Sequence, residues 1–516
     1  MSSSHVDYRR KIKTREELIQ IIGSHPRPKK LIMCHGTFDI VHPGHIRHLI
    51  YARSKADLLL VTLTSDAHIT KANYRPFVPQ NLRAMNLAAL EVVDFVVIDN
   101  NPTPIDNLKF IQPDYFAKGY EYSTEGIHPR TKVEMQTLEA YGGEIMFTPG
   151  DVVLSSSAII EDEPPRIAAE KLHVLMESEG LHFDDLKRTL DKFSEARIHV
   201  VGDTIVDSYT HTSLIGANAK TPTFSVKFQR QTDYSGGAAI VAKHIRSAGA
   251  EVDFTTIMGD DPMMNFVTKD LKEAGINCHV LTDSTRPTTQ KHLFIADGYR
   301  MLKVDKIDSR PISERLLEKM KLAIAEKTNV NAVVFSDFRH GIFNRHTIPE
   351  LIGAIPKNAL RVADSQVASR WGNILEFQSF DLLTPNEREA RFALGDQDSV
   401  IRPLAYELYR RASCKTLILK CGDRGILTYR KDSVDDMRAF FALDSFVDRL
   451  VDAVGAGDAL LAYSTLALAT TGSPVIASIL GSMAAAIACE RDGNVPILPA
   501  EVIEKIEKVE KQVTFE

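Results

Sequence analysis

The sequence predicts an α/β protein built from two tandem domains, the second carrying a small β lid. Three observations predict it. Short apolar runs alternate with amphipathic stretches from Lys30 to Ile160, and the alternation resumes at Arg197. Between them the run EDEPPR, residues 161–166, stops the pattern with acids and a double proline. A βα alternation implies a parallel sheet with helices on both faces. The 516 residues fit two or three domains at roughly 150 residues each. The expected division is an N-terminal extension over 1–29, a first domain over 30–160, a helical linker over 161–195 and a second domain over 196–516.

In the first domain LIMC, DLLLVTLT, FVVI, YFAK and GEIMFT read as strands, and the segments from Pro43, Gln80, Pro104 and Arg130 as helices. AAEKLHVLMESEG and FDDLKRTLDKF are helix-like and link or cap. The second domain opens with the strand RIHVVGD and continues through VDFTTIMG, AVVFSD, ALRVADS, KTLILKCGD and RGILTYR. TPTFSVKFQRQTDY and TTQKHLFIADGYRMLKVD alternate at period two without helices between them, which predicts a small antiparallel sheet beside the main one.

Composition removes several function classes. Net charge is −6, with one Trp and 7% aromatics, so neither a basic field nor a stacking platform argues for nucleic acid or an anionic membrane. Cys34, Cys278, Cys414, Cys421 and Cys489 are scattered without a CxxC, which indicates neither zinc nor a disulfide framework. The N-terminal stretch lacks the apolar core of a secretory signal, and no run of 18 apolar residues occurs. The expectation is a cytoplasmic protein whose partners are small molecules, with a homodimer left open.

Two motifs carry chemistry. HGTFDIVHPGH, His35 to His45, follows the strand LIMC. His42 and His45 lie at i and i+3, and Pro43 favours a helix's first turn. Both imidazoles then share one face where free N–H groups and the positive dipole end converge. Gly36 and Gly44 remove side chains where a phosphate approaches the backbone. Such a site stabilises charge on an α-phosphate under attack by positioning and hydrogen bonding. DAVGAGDALLA, Asp452 to Ala462, is a glycine-rich turn opening a helix. Gly455, Ala456 and Gly457 let backbone N–H groups form an anion hole, and Asp458 in the first turn can accept a proton from an attacking hydroxyl.

The first motif resembles the HxGH signature of the cytidylyltransferase-like nucleotidyltransferases, a Rossmann-like fold. In that resemblance Gly36, Thr37, Phe38, Asp39 and Gly44 serve the nucleotide. The likeness continues through TSDA and YRPFVPQNLRAMNLAALEVVDFVV, with Arg75 and Arg83 at basic positions, and through DYFAKGYEY with Lys118. It implies a mobile catalytic Lys71 and, in LSSSAII, hydroxyls of Ser155, Ser156 and Ser157 on the triphosphate.

From about Arg197 to Val495 the chain resembles the ribokinase-like (PfkB) sugar kinases. VVGDTIVDSY places Asp203 and Asp207 where that family grips sugar hydroxyls, beside Gly236 and Gly237 of YSGGAAIVAKHIRSAGA. LLTPNEREA supplies Asn386 and Glu389, the pair linked to Mg²⁺, expected to act through water. ILKCGDRGIL supplies Gly422 and Gly425 on the nucleotide side. The chain departs from the pattern at Ile240, which stands where the family has a sugar-contacting Asn and is expected to offer a methyl face to the substrate beside Asp203 and Asp207, at DSQ (Asp364 to Gln366) and at GAGDA.

One family pairs the two modules, the bifunctional heptose 7-phosphate kinase / heptose 1-phosphate adenylyltransferases of ADP-heptose synthesis, with the kinase first. Here the order is reversed. The resemblance implies ATP as phosphoryl donor, Mg²⁺, and ATP or CTP for nucleotidyl transfer to a sugar 1-phosphate. The alternatives are a fused enzyme making another CDP- or ADP-activated sugar or polyol, and a non-catalytic nucleotide sensor.

Overall fold

In the computed structural model the described residues are 7–69, 76–119, 129–148, 168–217, 223–366, 373–430 and 440–514. The chain divides into two compact units, Met1–Val174 and Leu175–Glu516.

The first unit is a five-stranded sheet of β1 (Leu31–Gly36), β2 (Leu58–Thr64), β3 (Phe95–Asp99), β4 (Tyr115–Gly119) and β5 (Glu144–Thr148). The order is β3-β2-β1-β4-β5 and every pairing is parallel. The strands read as apolar runs because both faces are covered: Ile32, Cys34, Leu59 and Val61 pack into one core and Leu31, Met33 and Leu60 into the other. Strand order reverses between β1 and β4, and a doubly wound sheet opens its ligand crevice at such a point, at the carboxyl ends of the strands. The helix Pro43–Arg53 starts there. The N-terminal residues join this body: the helix Arg15–Ile22 buries Leu18, and the Lys13 N–H donates to Val96 O at 2.9 Å.

Arg83, a basic position of the sequence pattern, has no exposed surface. Its guanidinium donates to the carbonyls of Val78 at 2.9 Å and Thr64 at 2.9 Å, to that of Thr37, and to Asp66 Oδ1 at 2.6 Å. One side chain thus ties the loop after β1, the end of β2 and the start of the helix Gln80–Ala88.

The second unit holds a nine-stranded sheet and a four-stranded lid. Its strands are β6 (Arg197–Gly202), β7 (Thr204–Ala217), β8 (Phe224–Gly237), β9 (Glu251–Met258), β10 (Asn277–Thr282), β11 (Thr289–Ala296), β12 (Tyr299–Lys306), β13 (Ala332–Asp337), β14 (Leu360–Ser365), β15 (Leu382–Leu383), β16 (Thr416–Lys420), β17 (Ile426–Arg430) and β18 (Phe440–Leu443). The large sheet runs β10-β9-β6-β13-β14-β15-β16-β17-β18, parallel as far as β16 and antiparallel across β17 and β18. The lid runs β12-β11-β7-β8.

The lid departs from the sequence expectation in two ways. TIVDSYTHTSLIGA, absent from the strands read in the sequence, is a separate 14-residue lid strand, β7. It pairs with β11 in parallel, so the small sheet is mixed rather than wholly antiparallel. The helix Phe183–Asp191 packs into the second unit, with Lys187 Nζ 2.8 Å from Glu510 Oε2.

The helices Ala456–Thr471 and Pro474–Cys489 are buried nearly all round, as their continuous apolar sequence requires. A Cβ at Gly481 would stand 2.1 Å from Ser464 Oγ, so the absent side chain permits their close approach. This rigid pair presents the Asp458 turn to the sheet.

Replacing Arg83 by Leu leaves Asp66 and three carbonyls without their shared donor. We expect a loss of about 3–5 kcal/mol, read as faster hydrogen exchange across β1 and β2 relative to the second unit. Unchanged protection there would show that the ties are redundant.

Candidate functional sites

In the first unit β1 delivers the chain into the HxGH turn. Gly36 leaves room for the Phe38 ring, which a Cβ would meet at a tight 3.1 Å. Phe38 takes φ +49° and lays its ring 5.1 Å from that of His45. Asp39 is buried, and its carboxylate accepts from the N–H groups of Phe77 at 3.0 Å and Val78 at 2.8 Å. It therefore anchors a loop, while Thr37 is fixed through its carbonyl on Arg83.

His42 is the N-cap of the helix Pro43–Arg53 and His45 its third residue. His42 Nδ1 accepts from Gly44 N–H at 3.2 Å, and His45 Nδ1 accepts from His42 N–H at 3.4 Å. The rings stack with centroids 3.8 Å apart. A neutral imidazole that accepts at Nδ1 carries its proton on Nε2. The capping box thus sets both histidines as Nε2–H donors. Burial lowers the His42 pKa. Burial, with His42 and His48 adding repulsion, lowers that of His45 to about 4. Burial thus favours the neutral form of both rings.

Lys118, on β4, points its Nζ to Thr131 Oγ1 at 3.2 Å and to the Glu134 carboxylate. At the end of β1, His35 joins Thr62 Oγ1 at 2.9 Å and lies 3.8 Å from the buried Asp99 carboxylate. Lys71, Arg75, Ser155, Ser156 and Ser157 lie outside the described residues.

In the second unit the chain leaves the core at Asp203, between β6 and β7, and returns through Gly236 and Gly237. Gly237 is required, and Gly236 leaves room for Asp207. A Cβ on Gly236 would fall 2.1 Å from Asp207 Oδ2, and Gly237 at φ +62° would put one 2.5 Å from Asp203 O. Asp203 Oδ2 accepts from the N–H groups of Phe338 at 2.9 Å and His340 at 3.2 Å. Asp207 lies on the lid strand, with its Oδ2 accepting from Asn494 Nδ2 at 3.0 Å. Burial raises its pKa, opposed by Lys291 and Lys303.

Asp458 occupies the third position of the helix Ala456–Thr471, behind Gly455 at φ +81°. It is 8% exposed. Burial, helped by repulsion from Asp364 and opposed by Lys420, pushes its pKa up to about 8. Lys420 ends β16 and donates to Asp364 Oδ1 at 2.8 Å. Burial works against its charge, but Asp364, Glu389 and Asp458 outweigh that, and its pKa is raised. A Cβ on Gly457 would stand 3.2 Å from Lys420 Nζ, so this ammonium faces the helix's first turn. Gly422 and Gly425 form the tight turn that follows, at φ +63° and +82°.

The structure therefore brings Asp203, Asp207, Gly236, Gly237, Gly455, Ala456, Gly457 and Asp458 to the lid–core junction and the helix start. It adds Lys291, Asp364, Lys420 and Asn494, which sequence reasoning missed or noted only as a departure. Lys291 pairs with Asp207 in the lid register and stands over the Phe338 ring at 5.5 Å. Three further residues are placed as follows. Ile240 has no exposed surface, so it packs into the core instead of offering a methyl face to a ligand. Asn386 and Glu389 form a capping box, with Glu389 N–H to Asn386 Oδ1 at 2.8 Å and Asn386 N–H to Glu389 Oε2 at 2.7 Å. Their polar atoms are used locally, which fits an outer contact to a hydrated ion better than direct ligation.

Each unit thus presents a helix start to its strand ends, with the His42–His45 pair in the first and the buried Asp458 in the second. The model of the pfkB family carbohydrate kinases matches residues 195–501, more than half of the chain, and the chain belongs to that family. The cytidylyltransferase-like model matches residues 33–162. Similar curated proteins include the bifunctional protein HldE of Bradyrhizobium sp. (strain ORS 278), 26% identical over 331 residues, covering 63% of this chain and 65% of that protein. HldE of Campylobacter jejuni subsp. doylei is 39% identical over 143 residues, covering 27% of this chain and 31% of that protein. The chain thus spans just under two thirds of the length of the first of these relatives. Phosphofructokinase-2 from Escherichia coli in complex with fructose-6-phosphate aligns with a TM-score of 0.51 at 16% identity, over 61% of this chain and 99% of that one; it shows the fold alone. No helix among the described residues is long and apolar enough to cross a membrane.

Replacing Lys420 by Met keeps the volume and leaves the buried Asp364 and Asp458 carboxyls without their counter-charge. The expected cost is about 3–5 kcal/mol, read as a lower urea midpoint of the second unit that Lys420→Arg largely restores. A midpoint unchanged in Lys420→Met would contradict the ion-pair assignment.

Proposed function

We propose that the chain is a bifunctional enzyme of nucleotide-sugar synthesis. Its kinase half phosphorylates the anomeric hydroxyl of a heptose 7-phosphate-like sugar with ATP. Its nucleotidyltransferase half couples a sugar 1-phosphate to a nucleotide, giving an ADP-heptose-like product and pyrophosphate. The observation that carries this reading is the buried Asp458 at the helix start, across the lid–core junction from the acids Asp203 and Asp207. The likeness to the HldE proteins in both segments supports the substrate class.

In the kinase half, Asp203 and Asp207 accept hydrogen bonds from sugar hydroxyls. Asp458 takes the proton of the anomeric hydroxyl as its oxygen attacks the γ-phosphorus, and ADP leaves. The backbone N–H groups of Gly455, Ala456 and Gly457, with Lys420 behind them, face the transferring phosphoryl group, and Gly422 and Gly425 shape the nucleotide side. Mg²⁺, when bound, neutralises phosphate charge, with Asn386 and Glu389 reaching it through water.

In the nucleotidyltransferase half, a sugar phosphate oxygen attacks the α-phosphorus of the nucleotide. The Nε2–H groups of His42 and His45 donate to the charge that builds there. Lys71, Lys118 and Ser155 to Ser157 complete the phosphate site in this reading. Each half is assayed alone: the kinase with heptose 7-phosphate and ATP, the transferase with heptose 1-phosphate and either ATP or CTP. Turnover of other sugars or polyols in preference to both heptose phosphates would replace the substrate assignment, and CTP preference would replace the ADP product.

His45→Ala removes one donor and half of the capping box. Pyrophosphate release should fall on the order of 10²-fold or more, while sugar phosphorylation continues. Normal pyrophosphate release would remove His45 from the reaction.

The kinase should also depend on pH in a stated direction. The reactive form of Asp458 is the carboxylate, and its pKa is raised to about 8. Kinase kcat/KM should therefore be low in acid and climb as pH rises through that value. Asp458→Asn should lack this limb and run about 10²–10⁴-fold slower. A wild-type profile flat between pH 6 and 9 would contradict the role.

A further inference from the structure

The turn after β13 contains an arginine in a conformation that side chains rarely take. Arg339 has φ +60°, in the left-handed region that disfavours residues other than glycine. Such a backbone persists where its surroundings over-determine it. Here they do. Arg339 is 8% exposed and Asp337 1%. The guanidinium lies 2.7 Å from Asp337 Oδ2 and donates to Glu376 Oε2 at 2.8 Å and Ser365 Oγ at 3.2 Å. Ser365 Oγ in turn donates to Asp337 Oδ2 at 2.7 Å, and the Arg339 N–H donates to Asp337 Oδ1 at 2.8 Å. The residues on either side of Arg339, Phe338 and His340, are the two whose N–H groups hold Asp203 Oδ2. A left-handed residue between them bends the chain so that both amides reach one oxygen.

We propose that Arg339 is a positioning residue of the kinase half: its grip on Asp337, Ser365 and Glu376 fixes the turn whose amides orient the Asp203 carboxylate toward the sugar. The inference rests on the reading of Asp203 as a sugar-binding acid. It accounts for a buried arginine that touches neither Asp203 nor Asp458 in the hydrogen bonds described. Burial raises the Asp337 pKa, Arg339 opposes this, and Asp203 adds repulsion.

The test uses the full chain with heptose 7-phosphate and ATP. Arg339→Gly allows the same backbone angle and removes the grip. The KM for the sugar phosphate should rise on the order of tenfold to a hundredfold, the KM for ATP should stay within about twofold, and pyrophosphate release by the other half should not change. Arg339→Lys should recover part of the sugar KM through its single charge. A sugar KM within about twofold of wild type in Arg339→Gly, or a parallel rise in the ATP KM, would overturn the proposal. Should Arg339→Gly lose its far-ultraviolet circular dichroism, Glu376→Gln cuts one arm only. It should raise the sugar KM several-fold, and no rise there would overturn the proposal equally. Asp203→Asn is run alongside. If it keeps the wild-type sugar KM, the reading of Asp203 falls and the inference with it. If it loses sugar affinity while Arg339→Gly does not, the inference alone falls.

Discussion

A carboxyl group held out of water at the start of a buried helix is the constraint around which the second unit is organised. Asp458 is costly to ionise where it stands, and the cost is moderated only by ammonium groups brought in from elsewhere. Lys420 arrives from the end of β16 and Lys291 from the lid. Lys420 is in turn committed to Asp364 at the end of β14. Two strand ends, a lid strand and a helix start are therefore locked together by charge. The two apolar helices behind Asp458 supply the rigidity that lets a buried acid persist.

The first unit meets a related problem with neutral groups. Its helix start is the anion site in the proposed reading, and there the capping interactions are made by the histidines themselves. Each Nδ1 satisfies a backbone N–H of the first turn, which leaves each Nε2 protonated without requiring a positive ring. In the proposed reading, one half orients a proton acceptor by burying it among opposite charges, and the other orients proton donors by spending their second nitrogen on the backbone.

Much of this was legible in the sequence, for identifiable reasons. Strands buried on both faces, such as LIMC and AVVFSD, announce themselves as apolar runs, and helix starts as proline or glycine turns followed by periodic residues. HxGH and GAGD were legible because their residues are adjacent in the chain. What escaped is non-local. Lys291, Lys420 and Asn494 are single polar residues in unremarkable surroundings, and only the fold brings them to Asp207 and Asp458. TIVDSYTHTSLIGA was not read as a strand of its own, because no proline or glycine follows Asp203 to mark where a new element begins. Asn386 and Glu389 carried a capping signature, Asn-x-x-Glu, which the structure shows in use. Ile240 was weighed as a pocket residue because sequence position cannot tell a helix's inner face from its outer one.

The position of Asp203 at the joint between β6 and β7 has a geometric consequence. Asp203 is fastened to the large sheet through the turn after β13, whereas Asp207, four residues later, rides on the lid. Bending at the joint changes the spacing between their carboxylates. A ligand that engages both acids through two of its hydroxyls acts as a caliper across that joint. In the proposed reading, the stereochemistry of the sugar and the angle of the lid are one variable. An epimer with misplaced hydroxyls would bind with the lid at a different angle, and so change the access of water to the phosphoryl donor as well as its own affinity.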